Sequence, residues 1–140
     1  MLKISSLKKL VTDSMAIDLG TASTIIAVKG RGVVVDEPSL VAINELSEVI
    51  VAFGQEAADM TGREGRDIIV KAPMIGGVVA DFERTKKMLT YFVKKAKTGG
   101  SNISLQAVMG MVSDVTHVEQ RALSNAADDA GIGKVFKSLN

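Results

Sequence analysis

From Ser14 onward the chain carries its apolar residues in short runs with β character. Positions 15–19 are apolar around Asp18, and 24–29 are rich in β-branched residues. Both runs read as strands, joined by the break Gly20-Thr21-Ala22-Ser23. Gly30-Arg31-Gly32 makes the next turn. Positions 33–35, 39–43 and 49–53 read as further strands, the first two separated by Asp36-Glu37-Pro38. Positions 55–61 read as a short helix between Gly54 and Gly62. Positions 68–71 read as extended, and Pro73 with Gly76-Gly77 forms a turn.

The period then lengthens to that of a helix. Over 83–97, Met88, Leu89, Phe92, Val93 and Ala96 share one stripe with lysines elsewhere, and Asp81 is placed to cap the first turn. Thr116-His117-Val118-Glu119 has the form of a capping box. It opens a second helix with Val118, Ala122, Ala126 and Ala130 in steps of four, and Gly131 sits past its end. Between the helices, 98–102 is a loop and 105–112 a buried strand. The order of elements predicts an α/β fold with an inserted small β-rich subdomain. At the N-terminus, residues 1–11 place Ile4, Leu7, Leu10 and Val11 on one side of a helix, with Lys8 and Lys9 off that side and Lys3 within it. A short basic amphipathic helix of this kind suits an anionic membrane interface, or packs on its own domain.

Composition narrows the function classes. With 140 residues, 46% of them hydrophobic, the chain has the material for one domain with a real core. Seventeen Lys and Arg against 16 Asp and Glu leave no basic excess, and there is no Trp, so a nucleic-acid surface is not expected. The absence of Cys removes disulfides and thiolate zinc sites, and one His cannot build a cluster. No apolar run nears the roughly 18 residues of a membrane span. The N-terminal stretch lacks the pattern of a secretory signal, and a cytoplasmic protein is expected.

The candidate chemistry lies at Ala16-Ile17-Asp18-Leu19-Gly20-Thr21-Ala22-Ser23-Thr24. A carboxylate near the end of a buried strand precedes a tight glycine turn. Gly20 lets a ligand approach the backbone, and successive N–H groups of Gly20, Thr21, Ala22 and Ser23 can cradle phosphate oxygens. Asp18 beside them can hold a hydrated magnesium ion. Taken alone, Asp-Leu-Gly-Thr also fits an ordinary hairpin turn with no ligand. His117 and Glu119 read as helix-start residues, not as a ligand or a base.

Residues 16–24 resemble the first phosphate loop of the actin, heat-shock-chaperone and sugar-kinase ATPases, and most nearly the Gly-Ile-Asp-Leu-Gly-Thr-Ala-Asn-Thr of the MreB-type bacterial actins. The likeness continues in order through Val28-Lys29-Gly30-Arg31-Gly32-Val33-Val34 and Glu37-Pro38-Ser39-Leu40-Val41-Ala42. Next come Ala57, Met60 and Arg63, then Gly77-Val78-Val79-Ala80-Asp81-Phe82 with Thr85, Lys87, Met88 and Leu89. It ends with Val118-Glu119-Gln120-Arg121-Ala122, then Ala127, Ala130, Gly131, Val135 and Phe136. The resemblance implies an actin-like (ribonuclease H-like) α/β fold. Residues 14–136 would be a partial domain I, the first half of subdomain IA, with subdomain IB inserted at about 33–75. Residues 1–13 would be an amphipathic anchor. It also implies ATP with magnesium, with Asp18 as a water-mediated ligand and Gly20, Thr21, Ala22 and Ser23 around the phosphates. Filaments with itself or with full-length MreB are implied as well. So are the inner face of the cytoplasmic membrane, reached through Ile4, Leu7, Lys8, Lys9, Leu10 and Val11, and cell-shape and cell-wall-synthesis membrane proteins as partners.

Departures from that pattern carry expectations too. Ser23 stands where Asn is usual, Val112-Ser113-Asp114 replaces Pro-Ser-Gly, Gln120 replaces Arg, and Met74-Ile75 replaces the Lys-Asp before the glycine. Residues 137–140 leave the pattern, and Asn140 aligns with the glutamate that activates the attacking water. With that group and the second phosphate loop missing, the chain alone is expected not to turn over ATP. The competing readings are a non-catalytic membrane- or filament-binding module, a truncated remnant, and a relative of the organelle-aligning bacterial actins.

Overall fold

The computed structural model describes residues 13–62, 65, 67–76, 78–97, 105–110 and 116–138. The opening hairpin follows directly from the alternation of its residues. In β1 (Asp13–Leu19), Met15, Ile17 and Leu19 are buried while Ser14, Ala16 and Asp18 are exposed. In β2 (Ser23–Val28), Thr24, Ile26 and Val28 face the same core. The two strands pair antiparallel from Met15–Val28 to Leu19–Thr24.

A third strand, β3 (Gly32–Pro38), adds antiparallel to β2. It runs straight through Asp36-Glu37-Pro38, which the sequence pattern assigned to a break between strands. Val35 and Glu37 continue the inward alternation, and Pro38 is tolerated because β3 is the outermost strand. Ser39 donates its backbone N–H to the Ala22 carbonyl, so the Ser23–Pro38 pair between them is of the non-hydrogen-bonded kind and needs no proline N–H. The break falls at Ser39 and Leu40 instead.

Beyond it lies a separate three-stranded sheet in the order β5-β4-β6, made of β4 (Val41–Asn44), β5 (Ile50–Phe53) and β6 (Ile68–Lys71). It carries one short helix, α1 (Gly54–Asp59), which is a residue earlier at its start and two shorter at its end than the pattern predicted. Its strands fall within the span expected for the inserted subdomain, while β3 belongs to the large sheet. A two-stranded turn, β7 (Met74–Ile75) with β8 (Val78–Val79), leads into α2 (Phe82–Lys97).

The chain then returns to the large sheet. β9 (Leu105–Gly110) pairs parallel with β1, and β10 (Ile132–Ser138) pairs parallel with β9, giving the order β10-β9-β1-β2-β3. β10 includes Lys137 and Ser138, which pair with Met109 and Gly110. Between those strands, α3 (His117–Asp129) starts as its capping sequence predicts, with Thr116 Oγ1 accepting from the Glu119 amide at 3.2 Å. The predicted stripe holds at Ala126 and Ala130 but not at its start. Val118 is 80% exposed, and the buried positions are Leu123, Ala126, Ala127 and Ala130. Four residues turn a helix about 40° past a full revolution, so three such steps carry a row about 120° around it. On α2 the expected stripe of Met88, Leu89, Phe92, Val93 and Ala96 is buried as a whole, joined by Thr85. These side chains and the inner face of β1, β2 and β3 make one core.

Candidate functional site

The predicted loop residues meet at one end of the β1–β2 hairpin. Because Ile17 and Leu19 point into the core, Asp18 between them points out, on the opposite face of the sheet. It sits across from Ile25 on β2 and from Gly110 on β9, which carries no side chain. Gly20 follows, and its N–H donates to the Ser23 carbonyl at 3.1 Å. A Cβ at Gly20 would stand 2.7 Å from that same carbonyl oxygen. The tight closure of the loop therefore requires glycine here. Asp18, Gly20, Thr21, Ala22 and Ser23 form one short, solvent-facing arc.

The back of the arc is held by a residue that the sequence reading treated only as the start of a strand. Ser39, fully buried, donates its hydroxyl to the Gly20 carbonyl at 2.6 Å and its N–H to the Ala22 carbonyl at 3.1 Å. Its Oγ also lies 2.9 Å from Thr24 Oγ1, likewise fully buried. A signal for this pair existed. Thr24 occupies an inward position of β2, and a buried hydroxyl must find a partner.

Next to Ser39, Glu37 is 9% exposed. Its Oε1 accepts from the Gln55 amide at 3.0 Å at the start of α1, and its Oε2 meets Lys95 Nζ of α2 at 2.5 Å. The hydrogen bond to Glu37 raises the Lys95 pKa against the opposing effect of burial. Gly54 takes φ +62° here, and a Cβ on it would meet Glu37 Oε1 at 2.5 Å and the Phe92 ring at 2.9 Å. Phe53 stacks on Tyr91 of α2 with centroids 4.7 Å apart. The small sheet is thus seated on α2 by the ring stack, and on β3 by the Gln55 amide bonded to Glu37, whose other oxygen holds Lys95.

Other charged residues read from the sequence have structural roles. Burial pushes the Asp81 carboxyl up, but the Arg84 amide and guanidinium outweigh it and hold the pKa below its ordinary value. Asp81 is the α2 cap, as expected. His117 is exposed at the start of α3. No group of three or more His, Asp or Glu gathers among the described residues. Two grooves, of about 420 and 280 Å³, lie along α2 and not at the arc. The arc faces solvent, a shape that can take a phosphate group lying across it. The membrane residues Ile4, Leu7, Lys8, Lys9, Leu10 and Val11 lie outside the described residues, and no helix among those described is long and apolar enough to cross a membrane.

A five-stranded sheet with a carboxylate and a glycine arc at its first hairpin fits the family resemblance, and the comparison with known families decides it. A family model described as MreB/Mbl protein matches residues 12–138. The chain belongs to the MreB/Mbl family. It is 40% identical over 122 residues to the cell shape-determining protein Mbl of Bacillus subtilis, covering 87% of this chain and 37% of that protein. It is 40% identical over 135 residues to the cell shape-determining protein MreB of Haemophilus influenzae, covering 93% and 38%. The crystal structure of MreB5 of Spiroplasma citri bound to ADP superposes with a TM-score of 0.74 at 33% identity, over 91% of this chain and 38% of that one. The chain thus spans well under half the length of these MreB/Mbl relatives. The actin-like α/β fold expected from the sequence is the fold of this family.

Proposed function

We propose that this chain provides the phosphate-loop wall of an MreB-like cytoskeletal protein that acts in bacterial cell shape and guides cell-wall synthesis. The observation that carries the reading is the arc itself. A family-typical Asp-Leu-Gly-Thr sits at the end of two core strands, with Asp18 turned out to solvent and Gly20 in a closure that only glycine fits. The ADP in the related MreB5 structure supports a nucleotide as the ligand. Backbone amides of Thr21, Ala22 and Ser23 would face its phosphates, while the Gly20 N–H, which the sequence also assigned to them, is taken by the Ser23 carbonyl; Asp18 would hold magnesium through water. A carboxylate that joins no group of three or more acidic or His residues among those described suits magnesium, which keeps most of its waters and takes one or two carboxylates. The bound metal supplies neutralisation of phosphate charge. This chain's part is to orient the phosphates and keep the loop rigid.

Self-association, or association with full-length MreB filaments, belongs to the same reading, as does peripheral attachment to the inner membrane face. The support for membrane contact is the stripe of Ile4, Leu7, Leu10 and Val11 beside Lys8 and Lys9. Calorimetric titration of Mg·ATP into the chain tests the site. Weak binding that Asp18→Ala abolishes is the expected result, and equal heats from both proteins would refute the site. Liposome flotation tests the stripe, with loss of flotation expected in a Leu7→Glu, Leu10→Glu double variant. Co-sedimentation with MreB filaments tests assembly, and a chain that stays in the supernatant at every filament concentration would refute it.

A further inference from the structure

We infer that Ser39 is a positioning residue for the phosphate arc, acting through its carbonyls from the side away from the ligand. The inference deepens the proposed nucleotide reading and rests on it only for the identity of the ligand.

The direction of each hydrogen bond follows from the chemistry. A serine hydroxyl carries one proton, and a carbonyl can only accept. At 2.6 Å the Ser39 proton is committed to the Gly20 carbonyl. The 2.9 Å contact between the two hydroxyls then runs from Thr24 to Ser39. A relay results, Thr24 O–H to Ser39 Oγ, and Ser39 O–H to the Gly20 carbonyl. Both hydroxyl residues are fully buried, so water does not compete for these bonds. The Ser39 amide ties down the Ala22 carbonyl as well.

Those two carbonyls set the loop's direction. In a trans peptide the C=O and the following N–H point to opposite sides of the chain. Holding the Gly20 carbonyl toward Ser39 turns the Thr21 N–H away from Ser39. Holding the Ala22 carbonyl turns the Ser23 N–H away as well. One residue thereby fixes two peptide planes, with their dipoles aligned before any anion arrives. An arc with free carbonyls would present oxygen to an anion part of the time, and that would repel it. The Ala22 anchor comes from the Ser39 backbone and survives substitution, whereas the Gly20 anchor depends on the hydroxyl.

The test compares Ser39→Ala, Ser39→Cys and Ser39→Thr in the full chain. Cysteine is close to serine in shape but a weak donor, and threonine keeps the hydroxyl. Amide hydrogen exchange by NMR reads the arc without ligand. Titration with magnesium pyrophosphate reads the ligand. Ser39→Ala and Ser39→Cys are expected to speed exchange of the Gly20 amide about tenfold, the effect of about one hydrogen bond. Exchange in the β9 amides should hold, and Ser39→Thr should restore the slow rate. Pyrophosphate affinity should fall in the same order. Unchanged Gly20 exchange in Ser39→Cys would overturn the inference, as would equal acceleration in β9. Accelerated Gly20 exchange in a chain whose wild type ignores pyrophosphate would uphold the clamp and refute the nucleotide reading.

Discussion

The two sheets of this molecule are built from different materials. The large sheet packs Met15, Ile17, Leu19, Ile26, Val28 and Val35 against Met88, Leu89, Phe92 and Val93 of α2. The small sheet has a second cluster whose buried members are Ala42, Ala52 and Ala57, with Leu40, Met60, Ile68 and Val70 only partly covered. Alanine buries little area, and burial stabilises by about 25 cal/mol per Å². The small sheet therefore depends on its neighbour. Val41 and Ile43 of β4 belong to the large core, Phe53 stacks on Tyr91, and the Gln55 amide bonds to Glu37 of β3. The phosphate arc sits on the well-packed side. Packing is dense behind the arc and lighter in the unit seated beside it.

The strongest way to break this contrast is Phe92→Ala. The ring is fully buried in the large core and touches the seam. A loss of about 3–5 kcal/mol is expected in urea unfolding. Protection should then fall in both sheets, because the small one loses its seat. The reverse should not hold. Ala57→Leu overfills the small cluster and should lose about 1–3 kcal/mol. Hydrogen exchange should rise in β4, β5 and β6 while the β1 and β2 amides stay protected. Equal deprotection of both sheets would show a single cooperative unit and end the distinction.

The seam itself is sharpened by Glu37→Gln, which keeps an acceptor for the Gln55 amide and removes the charge facing Lys95. The loss should be about 1 kcal/mol, modest because Lys95 is nearly half exposed. Its pH dependence has a definite sign. The folded pKa of Lys95 lies above its ordinary 10.5, so the pair's contribution is complete below that value. It disappears as pH rises through the folded pKa. Alkaline melts of the wild type should lose this increment above pH 10.5, and Glu37→Gln should lack it. The smallest effect is expected at Leu46, 80% exposed in the β4–β5 turn. Leu46→Ser should shift stability by less than about 0.5 kcal/mol in the same melts.

By itself the sequence determined the elements whose signals are local. The β1–β2 hairpin, the α2 stripe and the Thr116 cap each depend on residues a few positions apart, and each was legible. So was the Asp18–Ser23 arc, because a strand that alternates fixes which way its carboxylate points. Tertiary structure decided what depends on distant partners. Strand β3 passes through Glu37 and Pro38 because Gln55 and Lys95 satisfy the carboxylate, and because β3 lies at the edge of the sheet. Val118 is exposed because α3 buries Leu123, Ala126 and Ala127, a face that the row from Val118 reaches only in its later steps. Ser39 became a candidate positioning residue only when the chain brought it against Gly20 and Thr24, 19 and 15 positions away. A hydrogen bond between such positions has no periodic trace in a sequence, since only the folded path brings the two ends within 3 Å.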